Sequence, residues 1–394
     1  MINEAMHQLG NEPSAIRSLF AYGLKRKAEI GANNVFDFSI GNPSIPAPAE
    51  VGQAIIELMG DDPQKIHGYT PAPGALEVRQ AIAKSINRRF GTNAGADNLY
   101  LTAGAAASLC ISIKALSAGG DELIVVSPYF PEYKVWIEQM DCTCIAVEAN
   151  PENFQLDLGA IETSISPNTK GIIINSPNNP VGVVYSQESL EGLAALLCAK
   201  EKEFATEIYL ICDEPYREIV YDSINVPYLP LIYDRTIVCY SYSKSLSLPG
   251  ERIGYVYVNE RMPQVSQVYS AVCGAGRALG YVCAPSLFQY VIKRCVDVPS
   301  DVAAYAENRE LLMRELKRIG YEFVEPQGAF YLWVKALEPS SEAFAERAKT
   351  HELLLVPSTS FGCDGWVRIG YCTSKQTIKD AIPAFKALMT SYQQ

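Results

Sequence analysis

The stretch Ser-Tyr-Ser-Lys-Ser-Leu-Ser-Leu-Pro-Gly-Glu-Arg-Ile-Gly, residues 241–254, organises the chemistry of this chain. It follows an apolar run, 236–240, and is closed by another, 253–258, which is the pattern of a turn between buried strands. A lysine at the end of a buried strand is suited to form an imine with a carbonyl compound. Serine hydroxyls and an arginine suit a phosphate. Lys244 and Arg252 therefore predict a site for a phosphorylated aldehyde, although a serine-rich loop with one lysine is also typical of a solvated turn.

The order Ser-Tyr-Ser-Lys-x4-Pro-Gly-x-Arg-x-Gly resembles the cofactor-lysine signature of the class I and II aminotransferases, the aspartate aminotransferase-like enzymes of fold type I. The resemblance covers nearly the whole chain, because further short motifs follow in the family's order. It implies pyridoxal 5′-phosphate (PLP) as the cofactor, bound to Lys244 as an imine. It also implies an α/β fold with a mostly parallel central sheet flanked by helices, and a smaller α+β domain. We expect a large PLP-binding domain, 46–299, and a discontinuous small domain, 1–45 with 300–394.

Length and composition limit the classes of protein. A chain of 394 residues exceeds the usual size of a single core, which agrees with two domains. The net charge of −11 argues against a nucleic-acid partner. No apolar segment approaches the roughly 18 residues that span a bilayer, so we expect a cytoplasmic protein. The cysteines offer one C-x-C pair without a matching pair, and the histidines are scattered, so no metal site is expected.

Glycine and alanine follow the predicted strand 99–102 at the point where a helix begins. Small residues at a helix N-terminus leave backbone N–H groups open, and those groups bind phosphate well. Close packing of a strand-to-helix turn is the alternative interpretation. By the resemblance, this turn and the lysine stretch bind the cofactor phosphate, through Gly104, Ala105, Ala106, Ser241, Ser243 and Arg252.

A carboxylate ends the predicted buried strand 208–212. Burial of such a group is costly unless it meets a cation, and a protonated pyridine nitrogen would supply one; a helix cap is the alternative. The resemblance assigns Asp213 to that nitrogen, and Tyr216 and Asn179 to the 3-oxygen of the cofactor. It also implies that Tyr216 helps to keep the pKa of the imine low. Lys244, Asp213 and Tyr216 are the expected catalytic residues.

Two tyrosines are expected to contact the cofactor from loops. Tyr129 lies between prolines after the strand 123–126, where a flat ligand could stack on its ring. By the resemblance it covers the pyridine face, although a plain core tyrosine is the alternative. Tyr69 lies in a segment that resembles the family's Y-x4-G loop, whose tyrosine reaches the cofactor phosphate of the neighbouring subunit. It therefore implies a homodimer.

Substrate contacts are expected at a glycine turn and at an arginine in an apolar strand. A planar guanidinium binds a carboxylate through two hydrogen bonds, which suits Arg368; an internal salt bridge is the alternative. The resemblance assigns Arg368 and Asn179 to the α-carboxylate, and Gly41 to the turn over the substrate. Ser358 departs from the glycine of many relatives, which leaves the substrate fit open. Arg277 is a candidate for a second carboxylate, and an ordinary surface charge is the alternative.

The predicted reaction is transfer of an amino group between an L-amino acid and a 2-oxo acid. The closest alternative is another PLP reaction on the same scaffold, such as β-elimination by a C–S lyase. A non-catalytic PLP-binding protein is a further alternative, but such modules usually accompany a DNA-binding domain, for which the N-terminal segment and the net charge leave no room. The substrate side chain is left open among aromatic, aliphatic and dicarboxylic acids.

Overall fold

The computed structural model describes residues 2–11 and 14–393, in which strands and helices alternate. The strands are β1 (Phe36–Asp37), β2 (Leu99–Thr102), β3 (Glu122–Ser127), β4 (Thr143–Glu148), β5 (Thr169–Asn175), β6 (Tyr209–Asp213), β7 (Thr236–Ser241), β8 (Gly254–Val258), β9 (Phe323–Val324), β10 (Tyr331–Lys335), β11 (Leu353–Leu354), β12 (Val356–Pro357) and β13 (Trp366–Gly370). The helices are α1 (Glu4–Asn11), α2 (Ala15–Ile30), α3 (Ala49–Leu58), α4 (Pro63–His67), α5 (Leu76–Phe90), α6 (Ala105–Leu116), α7 (Glu132–Glu138), α8 (Leu158–Ser164), α9 (Gln187–Phe204), α10 (Tyr242–Ser245), α11 (Val265–Ala278), α12 (Ser286–Cys295), α13 (Val302–Ile319), α14 (Ser341–Lys349) and α15 (Lys375–Thr390).

Seven strands form the central sheet, in the order β2-β8-β7-β6-β5-β3-β4. The pairs from β7 to β4 are parallel, whereas β8 runs antiparallel to both of its neighbours. Every residue of β6 and β7 is buried, as expected for apolar strands covered on both faces of a parallel sheet. The predicted mostly parallel α/β sheet is confirmed.

A smaller sheet of four strands, β12-β13-β10-β9, is antiparallel throughout. The N-terminal segment joins this part of the molecule through the parallel pair of β1 with β11. An apolar cluster that includes Phe38, Leu312, Leu332 and Phe385 lies under the small sheet and its helices. Residues 36–38 and the C-terminal part of the described chain are therefore held together by strand pairing and by shared side-chain burial.

Parallel pairing brings three strand ends to one edge of the large sheet. Asn175 at the end of β5 pairs with Asp213 at the end of β6, and Asp213 pairs with Cys239 near the end of β7. Ligands of open α/β sheets bind at the carboxyl ends of the strands. This edge is consequently where a site is expected.

One local detail differs from the sequence-based expectations. The lysine stretch, predicted as a turn, contains the short helix α10. Among the described residues, no helix is long and apolar enough to cross a membrane, and no group of three or more histidine, cysteine and acidic side chains could hold a metal ion.

Candidate active site

A cavity of about 290 Å³ lies at the carboxyl edge of the large sheet, where the small sheet faces it. Its wall combines side chains from both sheets and from the N-terminal helix α2. The sequence-predicted residues in this wall are Gly41, Ala105, Ala106, Asn179, Asp213, Tyr216, Ser241, Ser243, Lys244, Arg252 and Arg368. Residues that are distant in the chain, and that were singled out separately, therefore meet in one cavity.

Lys244 lies in α10, directly after β7, and its amine enters the cavity. Its Nζ donates to the carbonyl oxygen of Gly41 at 2.5 Å. Burial lowers the pKa of Lys244 to about 8, and the charges of Arg368 and Arg252 act in the same direction. A neutral amine is therefore readily available near neutral pH, which is the form that attacks a carbonyl group.

Asp213 ends β6 with a carboxyl group that is only half satisfied. Its Oδ2 accepts a hydrogen bond from the Tyr133 hydroxyl at 2.5 Å, whereas its buried Oδ1 has no partner among the described residues. Burial raises the pKa of Asp213 to about 7; the Tyr133 hydrogen bond opposes this and the neighbouring Glu214 adds to it. Glu214 is itself paired with Arg217 at 2.5 Å. The free oxygen in a cavity wall is suited to a cationic N–H donor.

Asn175 connects this carboxyl group to the loop after β5. Its Nδ2 donates to the backbone oxygen of Asp213 at 2.9 Å, and its Oδ1 accepts from the backbone N–H of Asn179 at 2.7 Å. The loop is thereby fixed relative to the end of β6. Sequence reasoning missed Asn175, because its role depends on the pairing of two strands.

Arg368 is almost fully buried, with 1% of its surface exposed, in the middle of β13. Its guanidinium donates to Oδ1 of Asn179 at 2.9 Å and to the backbone oxygen of Ser39 at 2.5 Å. Both acceptors are neutral, and Nε has no hydrogen-bond partner among residues 2–11 and 14–393. A buried guanidinium with spare donors is suited to a carboxylate ligand.

The N-terminus of α6 and the lysine stretch form a cup of hydrogen-bond donors. Gly104 precedes α6 with φ of 87°, and a Cβ there would lie 3.1 Å from Nη2 of Arg252. The hydroxyls of Ser241 and Ser243 lie 2.7 Å apart. Open N–H groups, hydroxyls and a guanidinium at one place match the needs of a phosphate dianion.

Comparison with known proteins agrees with this arrangement. Residues 33–385 match the model of the family described as aminotransferase class I and II. The chain belongs to this family. An aspartate aminotransferase of Thermotoga maritima is 32% identical over 365 residues, which cover 91% of this chain and 92% of the relative.

Two crystal structures of aminotransferases superpose over nearly their whole length. An amino transferase from Eubacterium rectale is 54% identical, with a TM-score of 0.97 and coverage of 100% of both chains. The aspartate aminotransferase of Thermus thermophilus with maleate is 26% identical, with a TM-score of 0.86, covering 98% of this chain and 99% of that one. The predicted fold type I and the aminotransferase activity are thus confirmed at the level of the family.

Besides Tyr216 and Tyr331, the aromatic residues that this aminotransferase places in the described part of the cavity wall are Phe130 and Trp136. Tyr129, which was predicted to cover a flat ligand, is not among the residues that line the cavity. Its N–H donates to the backbone oxygen of Phe361 at 3.0 Å, and its ring lies where a Cβ at Gly362 would be only 2.7 Å away. Tyr129 therefore packs against residues 361–362.

Two further candidates lie outside the cavity. Tyr69 is fully exposed on the surface. The sulfhydryl of Cys283 donates to the backbone oxygen of Thr70 at 3.0 Å, and this bond brings the exposed Tyr281 and Val282 near Tyr69. Arg277 is exposed in the last turn of α11 and is absent from the cavity wall.

Sequence reasoning missed several side chains that the structure brings to the site, among them Ile16, Phe130, Tyr133, Trp136, Asn175 and Tyr331. The spacing of Tyr133 four residues after Tyr129, at the start of a helical segment, is the one signal that could have indicated it. The others carry no polar pattern of their own.

Proposed function

We propose that this aminotransferase uses PLP, held covalently by Lys244, and that the cavity at the carboxyl edge of the large sheet is its active site. The observation that carries the proposal is the pairing of opposite pKa shifts in one cavity. An amine with a lowered pKa lies in the same wall as a buried carboxyl group, one oxygen of which has no partner in the described part of the chain. Such oppositely perturbed groups are typical of acid–base sites.

The residues fit the cofactor in each of its parts. Lys244 supplies an amine for the aldehyde, and Asp213 supplies a free oxygen for the pyridine nitrogen. The cup of hydrogen-bond donors formed by the N-terminus of α6, Ser241, Ser243 and Arg252 supplies donors for the phosphate. When bound, PLP supplies an electron sink for the bond that is broken at the substrate Cα.

We assign the remaining roles to residues of the chain as follows. Arg368 binds the α-carboxylate of the substrate through donors that its neutral partners leave available, and Asn179 holds the guanidinium in place. Lys244, once the substrate amine has displaced it, would accept the proton from the substrate Cα as a neutral amine and would deliver it to the carbon that was the aldehyde carbon. Tyr216, which also lies in the cavity wall, donates to the 3-oxygen, and Phe130 takes the aromatic contact predicted for Tyr129.

We further propose that the substrate side chain is uncharged. Among the described residues, the basic side chains in the cavity wall are Lys244, Arg252 and Arg368, and each already has a role. The rest of the wall includes Ile16 and Trp136. A distal carboxylate would find no partner there, whereas an aliphatic or aromatic side chain would bury apolar surface.

The protein is proposed to act as a homodimer in the cytoplasm. The fully exposed Tyr69, near the exposed Tyr281 and Val282, supports an interface with a second copy. The partner's Tyr69 would then reach the phosphate cup. The two sheets and the pairing of β1 with β11 support a large domain of 46–299 and a small domain of 1–45 with 300–394.

Absorbance of the purified protein with added PLP tests the proposal. The wild type should show a visible band that disappears on adding an amino acid without any oxo acid, with release of one equivalent of the matching oxo acid. Lys244→Ala should show no covalently attached cofactor after borohydride reduction and mass spectrometry. Lys170→Ala, which changes a lysine over the ring of Tyr209, is the matched control and should behave as wild type.

Two outcomes would contradict this assignment. A band that persists while ammonia and pyruvate accumulate would indicate a C–S lyase. Absence of any band in the wild type, even with excess PLP, would exclude PLP binding at this cavity.

A further inference from the structure

Tyr331, the first residue of β10, contacts three separate parts of the cavity. It is buried, with 2% of its surface exposed, and it lines the cavity wall. Its hydroxyl lies 3.0 Å from the hydroxyl of Tyr216. Its ring lies 4.3 Å from the guanidinium carbon of Arg368. No residue role assigned above explains this set of contacts.

The first contact concerns Gly41 and the reactive amine. A Cβ on Gly41 would lie 1.9 Å from the Tyr331 hydroxyl, so the glycine backbone lies directly against this side chain. The carbonyl oxygen of the same glycine accepts the hydrogen bond from Nζ of Lys244. Tyr331 therefore supports the backbone that holds the amine before the cofactor is attached.

The second contact concerns the acid-binding guanidinium. The guanidinium carbon of Arg368 lies 4.3 Å from the ring centroid of Tyr331 and 5.1 Å from that of Phe361. Arginine stacks favourably on aromatic faces, most of all where water is excluded. Contact with these rings restricts the movement of the guanidinium.

The third contact concerns the hydroxyl of Tyr216. Burial raises the pKa of both Tyr216 and Tyr331, so both hydroxyls keep their protons near neutral pH. Each hydroxyl has one proton to donate. If Tyr216 donates to the 3-oxygen of the cofactor, its own oxygen is free to accept the proton of Tyr331, and a chain of two hydrogen bonds polarises the first donor.

We propose that Tyr331 is a positioning residue that aligns the α-carboxylate site at Arg368 with the hydroxyl of Tyr216, its ring acting on the first and its hydroxyl on the second. The proposal rests on the proposed function of the cavity. The side chain then makes two contributions: phenylalanine removes only that of the hydroxyl, and leucine removes both.

Tyr331→Phe and Tyr331→Leu separate these contributions. The first measurement is the pH midpoint of the visible absorbance band of the PLP-loaded protein. The second is the Kd of 3-phenylpropanoate, an unreactive carboxylate, from its effect on that band. Tyr331→Phe removes the hydroxyl, so the pH midpoint of the band should rise by about half a unit to one unit, since one hydrogen bond is lost. It keeps the ring, so the Kd of 3-phenylpropanoate should stay within about twofold of the wild-type value. Tyr331→Leu should also raise the Kd about 3- to 30-fold, because the stacking on Arg368 is lost.

Tyr371→Phe is the matched control. Tyr371 is fully buried and its hydroxyl donates to that of Tyr221 at 3.2 Å, which is a hydroxyl pair similar to that of Tyr331, but neither residue lines the cavity. The control should change thermal stability without changing the midpoint or the Kd. If Tyr331→Phe and Tyr371→Phe give the same midpoint, the hydroxyl has only a structural role. If Tyr331→Leu binds 3-phenylpropanoate as wild type does, the ring does not position Arg368. Failure of the proposed function differs from both, because the wild type itself would then show no band.

Discussion

The hydroxyl of Tyr133 donates to Oδ2 of Asp213 at 2.5 Å, and the other oxygen of the same buried carboxyl group has no partner within the described part of the chain. Without a cofactor, the carboxyl group is therefore costly to ionise. Burial raises its pKa to about 7, so the folded protein holds a proton that the unfolded chain releases at lower pH. Function and stability consequently make opposite demands on Asp213.

Asp213→Asn should stabilise the cofactor-free protein while it lowers activity. Because the folded-state pKa lies above the unfolded value, the folded state binds more protons between about pH 4 and pH 7, and stability falls as pH rises through that window. Asparagine does not ionise, so the variant does not lose this stability as pH rises. The difference in melting temperature, variant minus wild type, should therefore be a few degrees larger at about pH 8 than at about pH 5. In the PLP-loaded protein, kcat/KM should fall by about 10²-fold or more.

Asp37→Asn is the control for this measurement. Asp37 is a buried carboxylate that is fully partnered, by Lys27 at 2.9 Å and by the N–H and hydroxyl of Ser39. Its substitution should lower the melting temperature at both pH values. An equal fall for Asp213→Asn would show that Oδ1 of Asp213 has a stabilising partner after all.

Attachment of PLP to the cofactor-free protein should accelerate as pH rises toward about 8 and then level off, since burial lowers the pKa of Lys244 to about 8 and only the neutral amine attacks the aldehyde. An ordinary lysine would keep accelerating to about pH 10. The measurement is the rate at which the visible band appears after mixing with PLP. A profile that rises without levelling up to pH 10 would contradict the lowered pKa.

Arg368→Lys should raise the KM for amino acids about 10- to 100-fold with a smaller effect on kcat, because lysine cannot bind a carboxylate in two places while it also bonds Asn179. Arg309→Lys is the matched control. Arg309 is also buried and forms ion pairs with Asp222 and Glu325 at 3.0 Å, but it does not line the cavity. Steady-state kinetics should show an unchanged KM for the control. An unchanged KM for Arg368→Lys would place the α-carboxylate elsewhere.

Ile16→Arg should shift the preference of the enzyme toward acidic substrates. Ile16 lies in α2 and contributes to the apolar part of the cavity wall. A cation there would give a distal carboxylate a partner, so the ratio of kcat/KM for aspartate to that for leucine should rise about 10-fold or more. Arg277→Gln should leave this ratio unchanged in the otherwise wild-type protein. If instead the wild type prefers aspartate and Arg277→Gln abolishes the preference, a second copy supplies the cation.

The fold and the charged residues of the site could be predicted because each leaves a local signal in the sequence. Lys244 and Asp213 each follow a buried apolar strand, and parallel strands bring such ends to one edge. Arg368 was recognisable because an arginine inside an apolar strand requires an acceptor. Each signal lies within a short stretch of sequence, and the pairing of strands brings these residues together in the fold.

The remaining residues of the site could not be predicted because their roles depend on contacts across the molecule. Tyr129 packs against Phe361 and Gly362, more than two hundred residues away in the chain, through its backbone N–H and its ring. Tyr331 was recognisable only as part of an alternating strand. Its contact with Gly41 exists because the small sheet lies against the N-terminal turn.

Lys244 follows a strand of the seven-stranded sheet, whereas Arg368 lies within the four-stranded sheet. A molecule bound to both would be a tether between the two sheets, in addition to the backbone hydrogen bonds that already join their surroundings, such as the one from the N–H of Tyr129 to the oxygen of Phe361. Opening of the cleft would then require breaking the tether, and the free energy of binding would add to the cost of local unfolding. Amide hydrogen exchange in β13, which contains Arg368, and in the neighbouring β10 should consequently slow when the cavity is occupied.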